Sequence, residues 1–147
     1  MQPPARKLSA PPSIKPVADV ESVASLDLLV TEMGERVLVL YSGPAGKPKR
    51  TLLTVEACGN RKSPDPAIHA LCTVVESLSP AAKRIWAAAD KVFDVGYELR
   101  ATEKCSRFKL RPDTLERVAK LGASLAVTYY RREEEAKLTR VEKSKEA

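Results

Sequence analysis

A histidine and a cysteine three positions apart are the residues of this chain that could most directly do chemistry. His69 and Cys72 would lie on adjacent turns of one helix, and Cys58 and Cys105 complete a set of ligands that could bind zinc. However, no two cysteines are separated by two residues, and Cys72 falls on an apolar helical stripe, where cysteine commonly serves as a small hydrophobic residue. A Cys72–His69 nucleophile would also need an orienting third group, which the sequence does not identify. We therefore predict no metal site, no cofactor and no catalytic residue.

The stretch YSGPAGKPKR, from Tyr41 to Arg50, combines glycines with a lysine and invites comparison with a phosphate-binding loop. A Walker-type loop needs G-x-x-x-x-G-K-[ST] followed at once by a helix. Here Gly43 and Gly46 are three positions apart, Lys47 is followed by proline, and a strand pattern comes next. The composition is typical of a turn between two strands, so we interpret the stretch as a hairpin connection with a basic tip.

Basic residues in and after this hairpin are the candidates for contact with nucleic acid. A solvated loop that protects a sheet edge is the favoured interpretation, and contact with phosphates is the alternative. No aromatic residue is interleaved, although platforms for single-stranded nucleic acid depend on stacking. The candidate contacts are Lys47, Lys49, Arg50, Arg61 and Lys62.

Carboxylates between the second and third predicted helices could serve as acid and base. Asp94 and Glu98 share the polar side of one predicted strand, and Glu103 follows it. Four strand positions span roughly 13 Å, too far for Asp94 and Glu98 to cooperate on their own strand. A solvated sheet face is the favoured interpretation.

Composition limits the classes of protein that this chain can belong to. A length of 147 residues suits one domain with an ordinary core. No apolar run approaches the ~18 residues of a membrane span. The first residues lack the continuous apolar segment of a signal peptide, and three cysteines do not suggest a disulfide framework, so we predict a cytoplasmic protein. A net charge of +6 favours acidic over cationic partners without specifying one.

Proline and charge divide the chain into three parts. Residues 1–21 contain Pro3, Pro4, Pro11, Pro12 and Pro16 and are predicted to be a disordered, proline-rich arm. Residues 22–132 are predicted to form a single α+β domain, and residues 133–147 a charged tail that is helical or frayed.

Periodicity within the domain predicts the elements that would carry these residues. Arg36–Ser42 and Arg50–Ala57 predict a hairpin, whereas the preceding SLDLLVTE suits a strand or a helical turn equally well. Helices are predicted to begin at Asp65–Pro66, Ser79–Pro80 and Arg111–Pro112. Their inward residues are Ile68, Leu71, Cys72, Val75 and Leu78; then Ala82, Ile85, Trp86 and Ala89; then Leu115, Val118 and Ala119.

Strands complete the pattern and define its fold class. VFDVGYELR alternates, with Phe93, Val95, Tyr97 and Leu99 on one side; Arg107–Leu110 is predicted as its return strand, and Ser124–Tyr130 as the last strand. The order predicts an α+β two-layer sandwich, a mostly antiparallel sheet with three helices covering one face.

An open sheet face offers a place for a partner. Tyr129 and Tyr130 straddle the last strand, so one should be buried and the other exposed, and an exposed tyrosine beside Gly96 would begin a partner-binding surface. The predicted partner face is Gly96, Glu98 and Tyr130.

Two segments carry a family resemblance. IHALCTVVESLSPAAKRIWAAADKVFDVGYEL and FKLRPDTLERVAKLGASLAVTYY, about residues 64–130, resemble a bacterial domain-of-unknown-function family of small α+β proteins. That family has a leucine-rich helix, an L-x-P step, a strand and F-x-L-x-P-x-x-L-x-x-L-A-x-L-G before a closing tyrosine. The resemblance implies the fold and a bacterial origin, and it implies no activity.

Three hypotheses about function follow from these patterns. The first is a non-enzymatic protein-interaction module that uses an open sheet face or edge, with a protein partner or a second copy of the chain. The second is a nucleic-acid-binding protein that uses the basic hairpin loop. The third is a Cys/His metal protein or enzyme.

Overall fold

A computed structural model describes residues 14–59, 63–99 and 107–131. Five strands form one sheet in the order β2-β3-β1-β4-β5. The strands are β1 (Ile14–Ser22), β2 (Val37–Pro44), β3 (Thr51–Ala57), β4 (Asp90–Leu99) and β5 (Ser124–Arg131). The helices are α1 (Asp27–Met33), α2 (Pro64–Glu76), α3 (Pro80–Ala88) and α4 (Pro112–Lys120), with a short 3₁₀ turn at Gly34–Arg36.

The predicted α+β fold with a mostly antiparallel sheet is confirmed. Every adjacent pair of strands is antiparallel except β4 and β5, which run parallel. The four helices among the described residues all contribute to one core cluster with the buried side of the sheet, so they cover the same face. The fourth helix is α1, formed by the stretch that suited a strand or a helix equally well.

The strand β1 corrects the predicted extent of the proline-rich arm. Residues 14–21, assigned to that arm, belong to a strand between β3 and β4, while residues 1–13 lie outside the described residues. Pro16 is compatible with this central position because β1 pairs with β3 only from Ala18 onward. Pro16 is paired on one side alone, with Val95 of β4, so the missing N–H can face the unpaired side.

The stretch from Tyr41 to Arg50 forms the end of β2 and the turn into β3. The backbone carries positive φ angles at Gly46 (77°) and Lys49 (61°), and Ala45 N–H donates to the Arg50 carbonyl across the turn. A strand follows directly, without the helix that a phosphate loop requires. The hairpin prediction is confirmed.

Proline starts all three predicted helices, with one shift in position. Helix α3 begins at Pro80, and Ser79 caps it by accepting from Ala82 N–H. Helix α2 begins two residues earlier than predicted, at Pro64. Asp65 does not cap its own helix but accepts from Arg111 N–H at 2.8 Å, which joins the starts of α2 and α4.

The predicted return strand at Arg107–Leu110 is wrong. These residues are not in a strand; Phe108 and Leu110 pack against the core as partly buried side chains. Both sides of β4 are already paired, one with β1 and the other with β5. Because β5 is parallel to β4, the chain needs a crossover rather than a hairpin, and α4 belongs to that crossover.

The core lies between the helices and the inward side of β1, β3 and β4. The inward residues predicted for α2 are buried, as are Phe93, Val95 and Tyr97 of β4. Trp86, predicted to face inward, is buried in this core: its ring lies 6.2 Å from that of Phe93, and its Nε1 donates to the Leu121 carbonyl at 2.9 Å. Among the described residues, no helix has the length and apolar character needed to cross a membrane.

The predicted inward stripe of α4 is partly wrong. Thr114 and Val118 are its buried residues, whereas Leu115 is 44% exposed. The helix is therefore rotated relative to the prediction, and Leu115 lies at the protein surface.

Candidate functional site

The sheet face opposite the helices is left uncovered by the described helices. Residues paired directly across two strands point to the same face, so the register places Asp19 beside Thr54 and Val92 on this side. Apolar and aromatic side chains lie among the polar ones. They include Val17, Leu38, Tyr41, Leu52, Val92 and Tyr130.

This open face is acidic although the whole chain carries a net charge of +6. Among the described strand positions of this face, Lys15 is the only basic residue. The hairpin turn adds Arg50 and Lys47, which reach the face from one end. The carboxylates on the face are Asp19, Glu21, Glu56, Asp90, Asp94 and Glu98.

Two central carboxylates are held in place by hydroxyls on neighbouring strands. Thr54 Oγ1 donates to Asp19 Oδ1 at 2.7 Å, linking β3 to β1. Thr128 Oγ1 lies 2.9 and 2.8 Å from the two carboxylate oxygens of Asp94, linking β5 to β4. These bonds fix the orientation of each carboxylate and leave each with further oxygen lone pairs that can accept hydrogen bonds.

The predicted partner residues Gly96, Glu98 and Tyr130 lie together at one corner of the open face. Glu98 is paired with Tyr130 in the parallel β4–β5 ladder. The Tyr130 ring extends over Gly96, since a Cβ built at Gly96 would lie 3.6 Å from Tyr130 Cε1 and 3.3 Å from the Lys15 carbonyl. Both Tyr129 and Tyr130 are exposed, so the expectation that one of them is buried is wrong.

The basic candidates for nucleic-acid contact divide into paired and exposed residues. Arg50 bridges two carboxylates of the open face, Glu21 at 3.1 Å and Asp90 at 2.6 Å, and Lys47 lies 3.8 Å from Glu21. Lys49 is exposed in the turn, at a positive φ. Arg61 and Lys62 lie outside the described residues.

The described cysteine and histidine candidates, Cys58, His69 and Cys72, do not come together as a metal site. Cys72 is buried in the core, and burial raises the pKa of its thiol to about 11, which opposes thiolate formation. Cys58 is exposed and lines a surface cleft of about 620 Å³ together with His69. Cys105 lies outside the described residues, and the described residues contain no group of three metal-ligating side chains.

His69 takes part instead in a contact between α2 and α4. Arg117 Nη1 lies 2.8 Å from His69 Nε2, so this imidazole nitrogen accepts the hydrogen bond. The same guanidinium bonds both oxygens of Glu76 and reaches Thr73 Oγ1 at 2.9 Å. Hydrogen bonds to Glu76 are the main cause of the raised pKa of Arg117. This network holds α4 against α2.

Sequence reasoning missed Arg117 and the β1 carboxylates for different reasons. Arg117 meets partners more than forty positions away, and no local pattern marks such a contact. Asp19 and Glu21 had a local signal, because the residues from Ala18 to Glu21 alternate between apolar and charged, as in a half-buried strand. The prolines of the first residues obscured it.

Comparison with protein-family models, with curated proteins and with solved structures found no match for this chain. The resemblance of residues 64–130 to a bacterial family of small α+β proteins therefore stays a prediction.

Proposed function

We propose that this protein is a non-enzymatic interaction module that binds a basic protein surface or segment through the open face of its sheet. The observation that supports this most directly is the composition of the uncovered face. Carboxylates alternate there with apolar and aromatic side chains, although the rest of the chain is strongly basic. We also propose a bacterial, cytoplasmic setting, from the family resemblance and the small number of cysteines.

Positioned carboxylates favour a partner rich in lysine or arginine. Because Thr54 and Thr128 already hold Asp19 and Asp94, less side-chain entropy is lost when a cation binds them. Opposite charges also accelerate encounter and reject partners with the wrong charge. Val17 and Val92, beside these carboxylates, provide apolar area that a partner could bury.

The same geometry disfavours nucleic-acid binding through the hairpin loop. A phosphate that approached Arg50 would also meet Glu21 and Asp90, which that guanidinium already neutralises. Lys47 is directed to Glu21 in the same way. Contact with a phosphate backbone would thus have to displace ion pairs and bring like charges together.

Site-specific photocrosslinking in the native host tests the proposal. A photoreactive amino acid replaces Val92, at the centre of the open face, or Lys83, an exposed residue of α3 that serves as the matched control. We expect a basic protein to be captured from position 92 and not from position 83, and the yield to fall as salt rises.

Neutralising the face separates specific capture from adventitious capture. Asp19→Asn and Asp94→Asn keep the side-chain shape and remove the charge, so together they should abolish the adduct at position 92. Equal capture from both positions, or capture that is unchanged in the neutralised variant, would contradict the proposal. A gel-mobility shift of RNA or DNA that is lost when Lys49 and Arg50 are replaced would instead support nucleic-acid binding through the hairpin loop.

A further inference from the structure

The two edges of the sheet are protected to different degrees. Strand β2 has a bulge between Val39 and Tyr41 and ends at Gly43 and Pro44, features that discourage pairing with another chain. Strand β5 pairs with β4 in an uninterrupted register over all eight of its residues. It carries no charged residue from Ser124 to Tyr130 and no proline. The outer edge of β5 is therefore regular and lacks the charges, prolines and bulges that usually keep an edge strand from pairing with another chain.

An apolar stripe runs along β5 on the side that faces the helices. Leu125, Val127 and Tyr129 are paired with buried residues of β4, yet they are 38%, 41% and 60% exposed. The Tyr129 ring lies 5.7 Å from that of Tyr97, so the stripe continues the core beyond the area that the described helices cover.

Helix α4 adds a further apolar residue beside this stripe. Arg117 contacts α2, and Leu115 is two positions earlier, so Leu115 lies on nearly the opposite flank of the helix. That flank faces away from α2, toward the side of the sheet where β5 is the edge. Exposed Leu115 is thereby placed to extend an interface formed by β5.

The stripe is complementary to itself. In an antiparallel pair of β5 strands centred on Val127, Val127 lies opposite its own copy and Leu125 lies opposite Tyr129. Aromatic residues opposite aliphatic ones are among the stabilising cross-strand pairs, and no like charges meet. The pairing also satisfies the backbone groups at both outer edges.

The remaining segments of the chain are poorly suited to cover this edge. Residues 1–13 contain four prolines, which cannot donate to a strand ladder. The segment that follows β5, residues 132–147, contains five basic and five acidic residues and few apolar ones. Residues 100–106 read RATEKCS and are largely polar. A second copy of β5 matches the stripe better than any of these.

We propose that two copies of this chain associate through antiparallel pairing of their β5 strands about Val127. The two sheets then form one continuous sheet of ten strands, with all helices on one side and both open faces on the other. This inference does not depend on the nature of any partner of the open face.

Oligomeric state provides the first test. Sedimentation equilibrium of the full chain should show a reversible dimer, and Val127→Lys should weaken the association at least about tenfold, because two lysines would meet at the centre of the interface. Val39→Lys, on the bulged edge strand β2, is the matched control and should leave the dimer unchanged. A monomer at every concentration, or a dimer weakened equally by both variants, would overturn the proposal.

Crosslinking tests the register without requiring Val127→Lys to fold. In a background of Cys58→Ser and Cys105→Ser, a short thiol-specific crosslinker should join two chains carrying Val127→Cys. It should not join two chains carrying Leu125→Cys, whose equivalent positions would be roughly 13 Å apart along the strands. Leu125→Cys mixed with Tyr129→Cys should crosslink. Efficient self-crosslinking of Leu125→Cys, or none by Val127→Cys, would refute the register.

Discussion

Thr114 is fully buried in the first turn of α4, and its hydroxyl has no hydrogen-bond partner among the described residues. A buried polar group without a partner costs about 1–3 kcal/mol, the price of removing it from water. Replacing that hydroxyl by a methyl group removes the cost and keeps the branched shape of the side chain. Thr114→Val should therefore stabilise the protein.

The magnitude follows from three contributions. Relief of the unsatisfied hydroxyl contributes about 1–2 kcal/mol, and the helix propensities of threonine and valine are nearly equal. Threonine and valine differ chiefly in the hydroxyl that is replaced, and a methyl group occupies nearly the same space, so the cost of overpacking should be small. We expect the free energy of unfolding to rise by about 1–2 kcal/mol, equivalent to roughly 3–4 °C in Tm for each kcal/mol.

Thr114→Ser is the matched control, since it keeps the hydroxyl and removes the methyl group. It should lower the free energy of unfolding by about 1 kcal/mol, because a buried methyl group is lost and a small cavity remains. Urea denaturation followed by the fluorescence of Trp86 measures both variants on the same scale. The reasoning fails if Thr114→Val is less stable than the wild type while Thr114→Ser is unchanged, because the hydroxyl would then have a partner.

Three further predictions concern the contacts between helices and the buried thiol. Arg117→Ala should lower the free energy of unfolding by about 1–2 kcal/mol, since charged hydrogen bonds across α2 and α4 are lost. Lys120→Ala, which breaks an exposed pair on α4, should change it by less than about 0.5 kcal/mol, and equal effects would contradict the role of Arg117. Hydrogen bonds from Ser79 lower the pKa of Glu32, so their stabilisation is present above the carboxyl's ordinary value of 4.5 and is lost as the pH falls through the lowered value. Glu32→Gln should therefore reduce the acid sensitivity of Tm, and an unchanged pH profile would contradict this assignment. With a pKa raised to about 11, Cys72 should resist alkylation at mildly alkaline pH in the folded protein and react after unfolding in urea. Rapid labelling of Cys72 under native conditions, detected by mass spectrometry, would contradict its burial.

Local periodicity was sufficient for most of the elements. The apolar stripe of α2 and the alternation in β4 each specify one buried face within a short window of sequence. Proline at the first helical position marked α3 and α4 correctly, because that position needs no backbone N–H. These signals are local, so they could be interpreted before the position of any neighbour was known.

The errors occurred where distant partners decide the structure. Pro16 is acceptable in β1 because the pairing of β1 with β3 begins only at Ala18, a fact that depends on residues about forty positions away. Arg107–Leu110 lacks a strand because β5 occupies the edge beside β4. Leu115 is exposed since α4 is oriented by Arg117 and its contacts with α2. The order of strands in a sheet and the orientation of a helix cannot be deduced from short windows of sequence.

The acidic face illustrates the same limit for function. The sequence pattern places Asp94 and Glu98 on one strand as solvated carboxylates, but it assigns Asp19 and Glu21 to the arm, whereas the structure places them in β1. Once β1 lies beside β4, Glu21 is directly opposite Asp90. Counting residue types shows only that the protein is basic. The pairing of the strands brings many of its carboxylates together on one face.

The two proposed surfaces differ in physical character, and salt should separate them. In the β5-paired dimer, the two copies of Asp94 would be separated by three strand spacings of about 4.8 Å, and so by at least about 14 Å. That distance exceeds the Debye length of about 8 Å at physiological ionic strength, so repulsion between the acidic faces should not oppose the dimer. The β5 contact is apolar and should persist at high salt, whereas binding of a basic partner to the open face should weaken. A dimer that dissociates as salt rises would mean that charged residues, and not the stripe of Leu125, Val127 and Tyr129, hold the two copies together.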